Sequence, residues 1–340
     1  MATRTDWVDY AKAIGIILVV YGHVARGLYN AGIAIPEHFY RLADSIVYSF
    51  HMPLFFFLSG LFFYTSLQKR GALGLAFNKV DTIVYPYILW SILQGSVEVV
   101  LSSYTNGNVT FTEVFTLWDP RAQFWFLYAL FFIFLVSIAI FSAVPFRWLV
   151  AVFIAVCALH LARGALPGFK VVLFVANNLV YFIFGVVFTR FNLVTYLSSY
   201  AAFLSLLLIF ILFQFGFHHY LNLTYTYRGI EALVLALISI MFVVSASSML
   251  ARYSNKTLVF IGASSMAIYV MHILAGSGVR VMLSKFLGIN DVIVHLLVGC
   301  LTGLLLPLLA VYVINSLKVP YLFSAPLSRI FQMPRQVRGS

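Results

Sequence analysis

The sequence predicts an all-α membrane protein, a polytopic bundle of about ten transmembrane helices with both termini in the cytoplasm. Three observations carry this. Of 340 residues, 63% are hydrophobic and 9% charged, with a mean hydropathy of +1.00, where soluble domains carry roughly a quarter charged residues. Ten apolar stretches reach the ~20 residues that a spanning helix needs. The lysines and arginines between them fall unevenly on the two sides of the membrane.

The stretches lie near 7–28, 44–64, 80–102, 123–142, 146–164, 171–190, 199–217, 229–250, 257–283 and 292–316. The first is read as a retained span, because Asp9, Lys12 and His23 interrupt it and no small-residue cleavage site closes it. Gly276, Gly278 and Arg280 predict that the ninth bends or stops early at its outer end. The connection 103–122 contains Asn106-Gly107-Asn108 and Asp119-Pro120 and reads as an ordered outer loop with turns. With the N-terminus inside, twelve cations are cytoplasmic: Arg4, Lys69, Arg70, Lys79, Arg147, Arg190, Arg252, Lys256, Lys318, Arg329, Arg335 and Arg338. Eight lie outside: Arg26, Arg41, Arg121, Arg163, Lys170, Arg228, Arg280 and Lys285. Residues 1–320 form one transmembrane domain and 321–340 a cytoplasmic tail.

Composition also excludes classes. The net charge of +11 is spread singly between apolar runs, without the patch or stripe that nucleic acid requires. Cys157 and Cys300 sit inside separate apolar runs, which implies neither a disulfide framework nor a metal site. No Gly-x-Ser-x-Gly elbow, His-Glu-x-x-His or P-loop is present.

Ionisable residues inside spans are costly and by default mark a working interior. Lys12 and His23 are eleven positions apart in the first helix, three turns plus roughly 20°, a rise of about 16 Å. They share one face, Lys12 about one turn inside the cytoplasmic boundary and His23 about one turn inside the other. A substrate lying along that face would place its anionic end near Lys12 and its reacting end near His23. The structural alternatives are a Lys12 that snorkels or pairs with Asp9, and a hydrogen-bonded bundle histidine.

The second span, Ser49-Phe50-His51-Met52-Pro53 through Gly60, puts His51 at the depth of His23, about 10 Å below the outer boundary. Pro53 is expected to open the helix there, so that His51 lines a cavity or caps the freed carbonyls. Glu98, near the outer end of the third span, is placed to orient a histidine or bind a sugar hydroxyl. Glu231 is expected to pair with Arg228. Ser265 and His272 belong to the ninth span, His272 near mid-membrane as a cavity residue or a buried hydrogen-bonding one. Asn177-Asn178 are expected to bond between helices. Lys69, Arg70 and Lys79 are the cytoplasmic cations available to a cofactor's phosphates, or simply set topology.

These residues resemble a known family. Asp6-Trp7-Val8-Asp9-Tyr10-Ala11-Lys12 through Tyr21-Gly22-His23 is similar to the opening helix of the membrane-bound acyltransferase-3 family, particularly its fucose-4-O-acetylase-like members, whose basic-x10-His motif is met by Lys12 and His23. Ser49 to Gly60 resembles the family's second span, Gln123-Phe124-Trp125-Phe126-Leu127 the entry to its fourth, and Ile261 through His272 its late Ser/Tyr/His helix. Together these cover about a quarter of the chain. One departure stands out. Members often carry two arginines three apart before the third span, where this chain reads Lys79-Val80-Asp81-Thr82.

The resemblance implies transfer of an acetyl or other acyl group from cytoplasmic acetyl-CoA to a sugar hydroxyl of a cell-surface or exported glycan, in the bacterial inner membrane. It implies a stand-alone membrane module with His23 and Lys12 as the catalytic pair and no permanently bound cofactor. His23 would act as general base or carry the acyl group itself. The competing class is a transporter or flippase for a glycan or small anionic solute, which would show many spans and intramembrane charges too.

Overall fold

The structure, a computed structural model, describes residues 6–104 and 109–328. Among the described residues, ten helices are long and apolar enough to span a membrane: α1 Asp6–Asn30, α2 Glu37–Gly60, α3 Phe63–Val100, α4 Ala122–Ala143, α5 Phe146–Ala165, α6 Lys170–Arg190, α7 Tyr200–Tyr220, α8 Ile230–Leu250, α9 Ser265–Phe286 and α10 Val292–Ser316. Among the described residues there is no strand. Ten crossings bring both ends of the described chain to one face, here the termini face; the short helix Phe111–Phe115 between α3 and α4 lies on the other, the loop face. Arg4, Asn106-Gly107-Asn108, Arg329, Arg335 and Arg338 fall outside the described residues.

The first helix sits in the middle of the bundle, against α2, α8, α9, α10 and a short helix Lys256–Ala263 that precedes α9. Its polar residues demand this, because lipid offers them no partner. The periphery is the reverse. α7 exposes Leu204, Leu208 and Leu212, and α10 exposes Leu297, Leu301 and Leu305, each one turn after the last, so both present a continuous leucine ridge to lipid.

Close approach at glycines sets the tightest contacts. A Cβ added at Gly60 would stand 1.9 Å from the Phe182 carbonyl oxygen, and one at Gly185 would stand 2.2 Å from that of Phe57. α2 and α6 therefore touch backbone to backbone, which only small residues permit. Gly262 meets the Asp9 carbonyl oxygen in the same way, at 1.8 Å.

Three elements depart from the sequence expectation. α2 starts at Glu37 rather than 44 and is not kinked by Pro53; it breaks at Ser49–Phe50 and restarts at His51. Pro53 then lies in a first turn, where its missing N–H has no intrahelical partner to lose. The expected inner connection around 65–79 is helical and continuous with α3, bent at Gly71, whose φ of +69° suits glycine. α9 continues through Gly276, Gly278 and Arg280 to Val281 and ends in a π-helical turn; its break lies instead at Ser264. Gly276 serves packing, with Val24 of α1 3.3 Å from where its Cβ would be.

Residues 321–328, expected as the start of a tail, dock on α3. Tyr85 Oη donates to the Tyr321 carbonyl (2.6 Å), Trp90 Nε1 to that of Leu322 (2.8 Å), and the Ser328 amide and hydroxyl to the Asp81 carboxylate (2.7 and 2.5 Å). Phe323 stacks on Trp90.

The glycine contacts predict a sharp asymmetry between positions. Gly185→Leu must push α2 off α6 and is expected to destabilise the protein by about 2–4 kcal/mol, whereas Gly164→Ala, with nothing near its Cβ, should be neutral. Thermal unfolding in detergent followed by far-UV circular dichroism checks this; equal stability of the two variants would refute the contact.

Candidate active site

A cavity of about 680 Å³ opens toward the loop face between α1, α3, α9 and the start of α10. Its lining includes His23, Arg26, Glu98, His272, Arg280 and His295. Of the residues expected at a site, the fold thus brings together His23, Glu98 and His272. The two histidine rings meet edge to face, centroids 5.0 Å apart.

Local structure explains the pair. Gly22 lets the Tyr48 ring of α2 come within 2.9 Å of where a Cβ would be, which seats α1 beside α2 at the level of His23. On the other side Gly299 and Gly303 of α10 admit Val24 and Val20 of α1, and Gly303 also lies beside His272. His272 Nδ1 lies 2.8 Å from the Tyr269 and 3.1 Å from the Ile268 carbonyl oxygen. Carbonyls only accept, so Nδ1 carries the proton, and in the uncharged ring Nε2 is an accepting lone pair. That Nε2 is buried and has no hydrogen-bond partner among the described residues.

His51 stands behind the cavity wall, not on it. It is fully buried, donates from Nδ1 to the Val47 carbonyl across the break in α2 (2.7 Å), and contacts the Tyr48 ring edge to face. Its expected alternative role, capping carbonyls freed at an interruption, is the one its geometry supports.

Glu98 is held by Gln94 Nε2 (2.9 Å) and by Arg121 (2.5 Å). Gln94 and Gln123 exchange amide hydrogen bonds, Gln123 donating at 2.6 Å and Gln94 at 3.4 Å, and Tyr269 Oη donates to the Gln123 carbonyl. This chain of polar groups ties α3, α4 and α9 together one turn from His272. Sequence reasoning did not single out Gln94; a glutamine four residues before Glu98 in an apolar helix was the available signal.

Arg26 donates to both oxygens of Asp44 (2.8 and 2.9 Å), and its guanidinium lies 3.3 Å from the Tyr48 ring centroid. Arg280 donates to the Gly27 carbonyl at 2.6 Å. His295 is buried, its Nε2 bonded to the Ile289 carbonyl.

Toward the termini face the expected residues are dispersed. Lys12 pairs with Asp9 at 3.5 Å, the expected structural alternative, and does not line the cavity. Asp9 is buried under Gly262. Ser265 opens α9, half-buried. Lys69 and Arg70 are exposed, while Lys79 is half-buried with its ammonium 4.1 Å from the Phe134 ring centroid. Away from the site, Glu231 accepts from Tyr227 Oη (2.8 Å), where Arg228 was the expected partner. Asn178 bonds to Phe174 of its own helix, and the Asn177 backbone, not its side chain, links to His160 of α5.

A family model described as an acyltransferase domain matches residues 5–312, nearly the whole described chain. The chain belongs to the acyltransferase-3 family. It is a multi-pass membrane acyltransferase, and the transporter or flippase reading is not favoured. No curated protein and no solved structure matches it.

Two predictions follow from the loop-face wall. Arg121→Ala strands the Glu98 carboxylate and should cost about 1–3 kcal/mol; adding Glu98→Gln should recover part of that, as a double-mutant cycle of thermal unfolding would show. A simple sum of the two single effects would mean that the pair is not coupled. The second concerns the loop helix Phe111–Phe115, whose capping box joins Thr110 and Glu113. The Thr110 amide and then its hydroxyl hold the Glu113 carboxyl below its ordinary value. A depressed value means that the cap is present above the usual carboxylate range and lost as pH falls through the lowered one. Hydrogen exchange at 110–116 should therefore differ between wild type and Glu113→Ala at neutral pH and converge in acid. A difference that persists unchanged in acid would contradict the cap.

Proposed function

We propose that the protein is a bacterial inner-membrane O-acetyltransferase of the fucose-4-O-acetylase-like kind, with both termini cytoplasmic, which moves an acetyl group from acetyl-CoA to a hydroxyl of a glycan held in the loop-face cavity. The observation that carries this is the meeting of His23 and His272 in that cavity, one ring with an accepting nitrogen that has no partner among the described residues. An acyl acceptor needs its hydroxyl proton removed as the new C–O bond forms, and a positioned imidazole does this.

In this reading His23 is the chemical centre. A sugar hydroxyl beside it gives up its proton to an imidazole nitrogen, its oxygen attacks the thioester carbonyl, and the C–S bond breaks with release of CoA as thiolate. If His23 takes the acyl group first, its imidazole nitrogen forms a C–N bond as the C–S bond breaks and CoA leaves as thiolate; the sugar oxygen then attacks that carbonyl, the C–N bond breaks to return the His23 imidazole, and His272 Nε2 is the base that takes the sugar proton. His51 and Glu98 support the site: Glu98 through Gln94 and Gln123, His51 through the bend in α2. The Tyr104 and Phe286 rings, stacked with centroids 6.3 Å apart at the cavity mouth, offer the flat apolar face on which a sugar ring packs.

The donor enters from the termini face. Lys69, Arg70 and Lys79 attract its phosphates, and Lys12 marks the inner end of the path with a charge that Asp9 holds in place. A pantetheine arm must then reach about 16 Å up α1 to His23.

Acetyl transfer from labelled acetyl-CoA to cell-surface glycan, in membranes with matched expression, tests this. His23→Ala should lower transfer at least 10²-fold with the protein still inserted. Lys12→Ala should be milder and act on donor affinity, and Lys12→Arg should retain much of the activity if charge is what counts. Wild-type-like transfer by His23→Ala would overturn the assignment. Mass spectrometry of glycans with and without the gene identifies the acceptor.

A further inference from the structure

We infer that the loop-face cavity recognises an anionic acceptor, and that Arg280 is the residue that binds its carboxylate or phosphate group; this rests on the acetyl-acceptor reading of that cavity. The argument begins with the charges that line it. Arg26 is neutralised by both oxygens of Asp44, and Glu98 by Arg121. Arg280 differs. Among the described residues no carboxylate pairs with it, and its polar contact is the single Gly27 carbonyl.

Only 8% of Arg280 is exposed, and a guanidinium carries five N–H donors. One carbonyl uses one of them. A buried cation without a counter-charge is costly, by several kcal/mol for an isolated ion, so its retention at a cavity wall calls for a ligand that compensates it. Near the loop-face end of α9 the side chain had another way out, to extend to the headgroups as a snorkelling cation does. Instead it turns inward to α1.

Its position suits an acceptor. Gly27 lies one turn beyond His23 on α1, a rise of about 6 Å, and Arg280 lies two turns beyond His272 on α9, its side chain leaning back toward the helix start. Arg280, His23 and His272 therefore line one space. An anionic group held there fixes the register in which a hydroxyl meets His23. The fork of Arg matches the two oxygens of a carboxylate or phosphate better than the point charge of Lys does.

The test is equilibrium dialysis of labelled glucose, glucuronate and glucose 1-phosphate against the full-length protein in nanodiscs, without acetyl donor. Wild type should bind one of the anionic sugars roughly tenfold or more better than glucose, and which one separates carboxylate from phosphate recognition. The preference should shrink as salt rises. Arg280→Gln should reduce it to less than about twofold with glucose binding unchanged, and Arg280→Lys should keep part of it. Equal binding of the three sugars by wild type, no binding of any, or an undiminished preference in Arg280→Gln would overturn the inference. Because no donor is present, loss of acetyl transfer in the separate membrane assay bears on the acetyltransferase reading alone.

Discussion

The contact of α1 with its neighbours is the constraint on which the rest of the structure depends. Asp9, Lys12 and His23 cannot face lipid, so α1 must be enclosed, and enclosure on every side requires small residues in the surrounding helices. Gly262 lies on the Asp9 carbonyl, Gly299 and Gly303 receive Val24 and Val20, and α1's own Gly22 receives Tyr48. Each contact fixes a rotation as well as a distance. The cavity opens beside α1, and His23 lines it.

Charge compensation works outward from the same helix. Arg26 would be unsupported one turn above His23 without Asp44, and Asp44 reaches it because the first piece of α2 leans separately from the second. The break at Ser49–Phe50 makes that possible, and His51 seals it by bonding the Val47 carbonyl. Packing, polar satisfaction and the cavity are thus one problem. A cation clamped between Asp44 and the Tyr48 face is rigid, and a rigid rim keeps the cavity from collapsing onto the histidines.

How much of this is legible in the sequence depends on distance along the chain. The ten spans are legible because about 20 apolar residues are a local property, and so is the shared face of Lys12 and His23. Glu98 and His272 stand out because a charge or a histidine in an apolar run is conspicuous. The meeting of His272 with His23 is not legible, since it turns on how α9 is rotated against α1 by Gly276, Gly299 and Gly303. The break in α2 was misplaced for a related reason. Proline marks where a helix cannot continue or where one begins, and residue 53 alone does not distinguish the two. Gln94 and Gln123 gain their meaning only as partners.

The two ends of the site are unequal in stiffness, and that bears on how a donor and an acceptor could share it. At the loop face the walls are held by ion pairs and by amides bonded across helices. Between the levels of Lys12 and His23 the barrier is made of side chains: the end of the Phe55 ring lies against Gly15, and Phe55, Phe126 and Tyr269 follow one another in ring contact up to His272. Gly60 and Gly262 instead meet backbone. A ring moves by rotation about its own bonds, within the spread of rotamers, whereas a backbone contact yields only if whole helices part. On the proposed reading, a thioester arm passing along α1 would displace these rings before it parted any backbone contact. On the same reading, the closed rings would separate the acceptor cavity from the termini face.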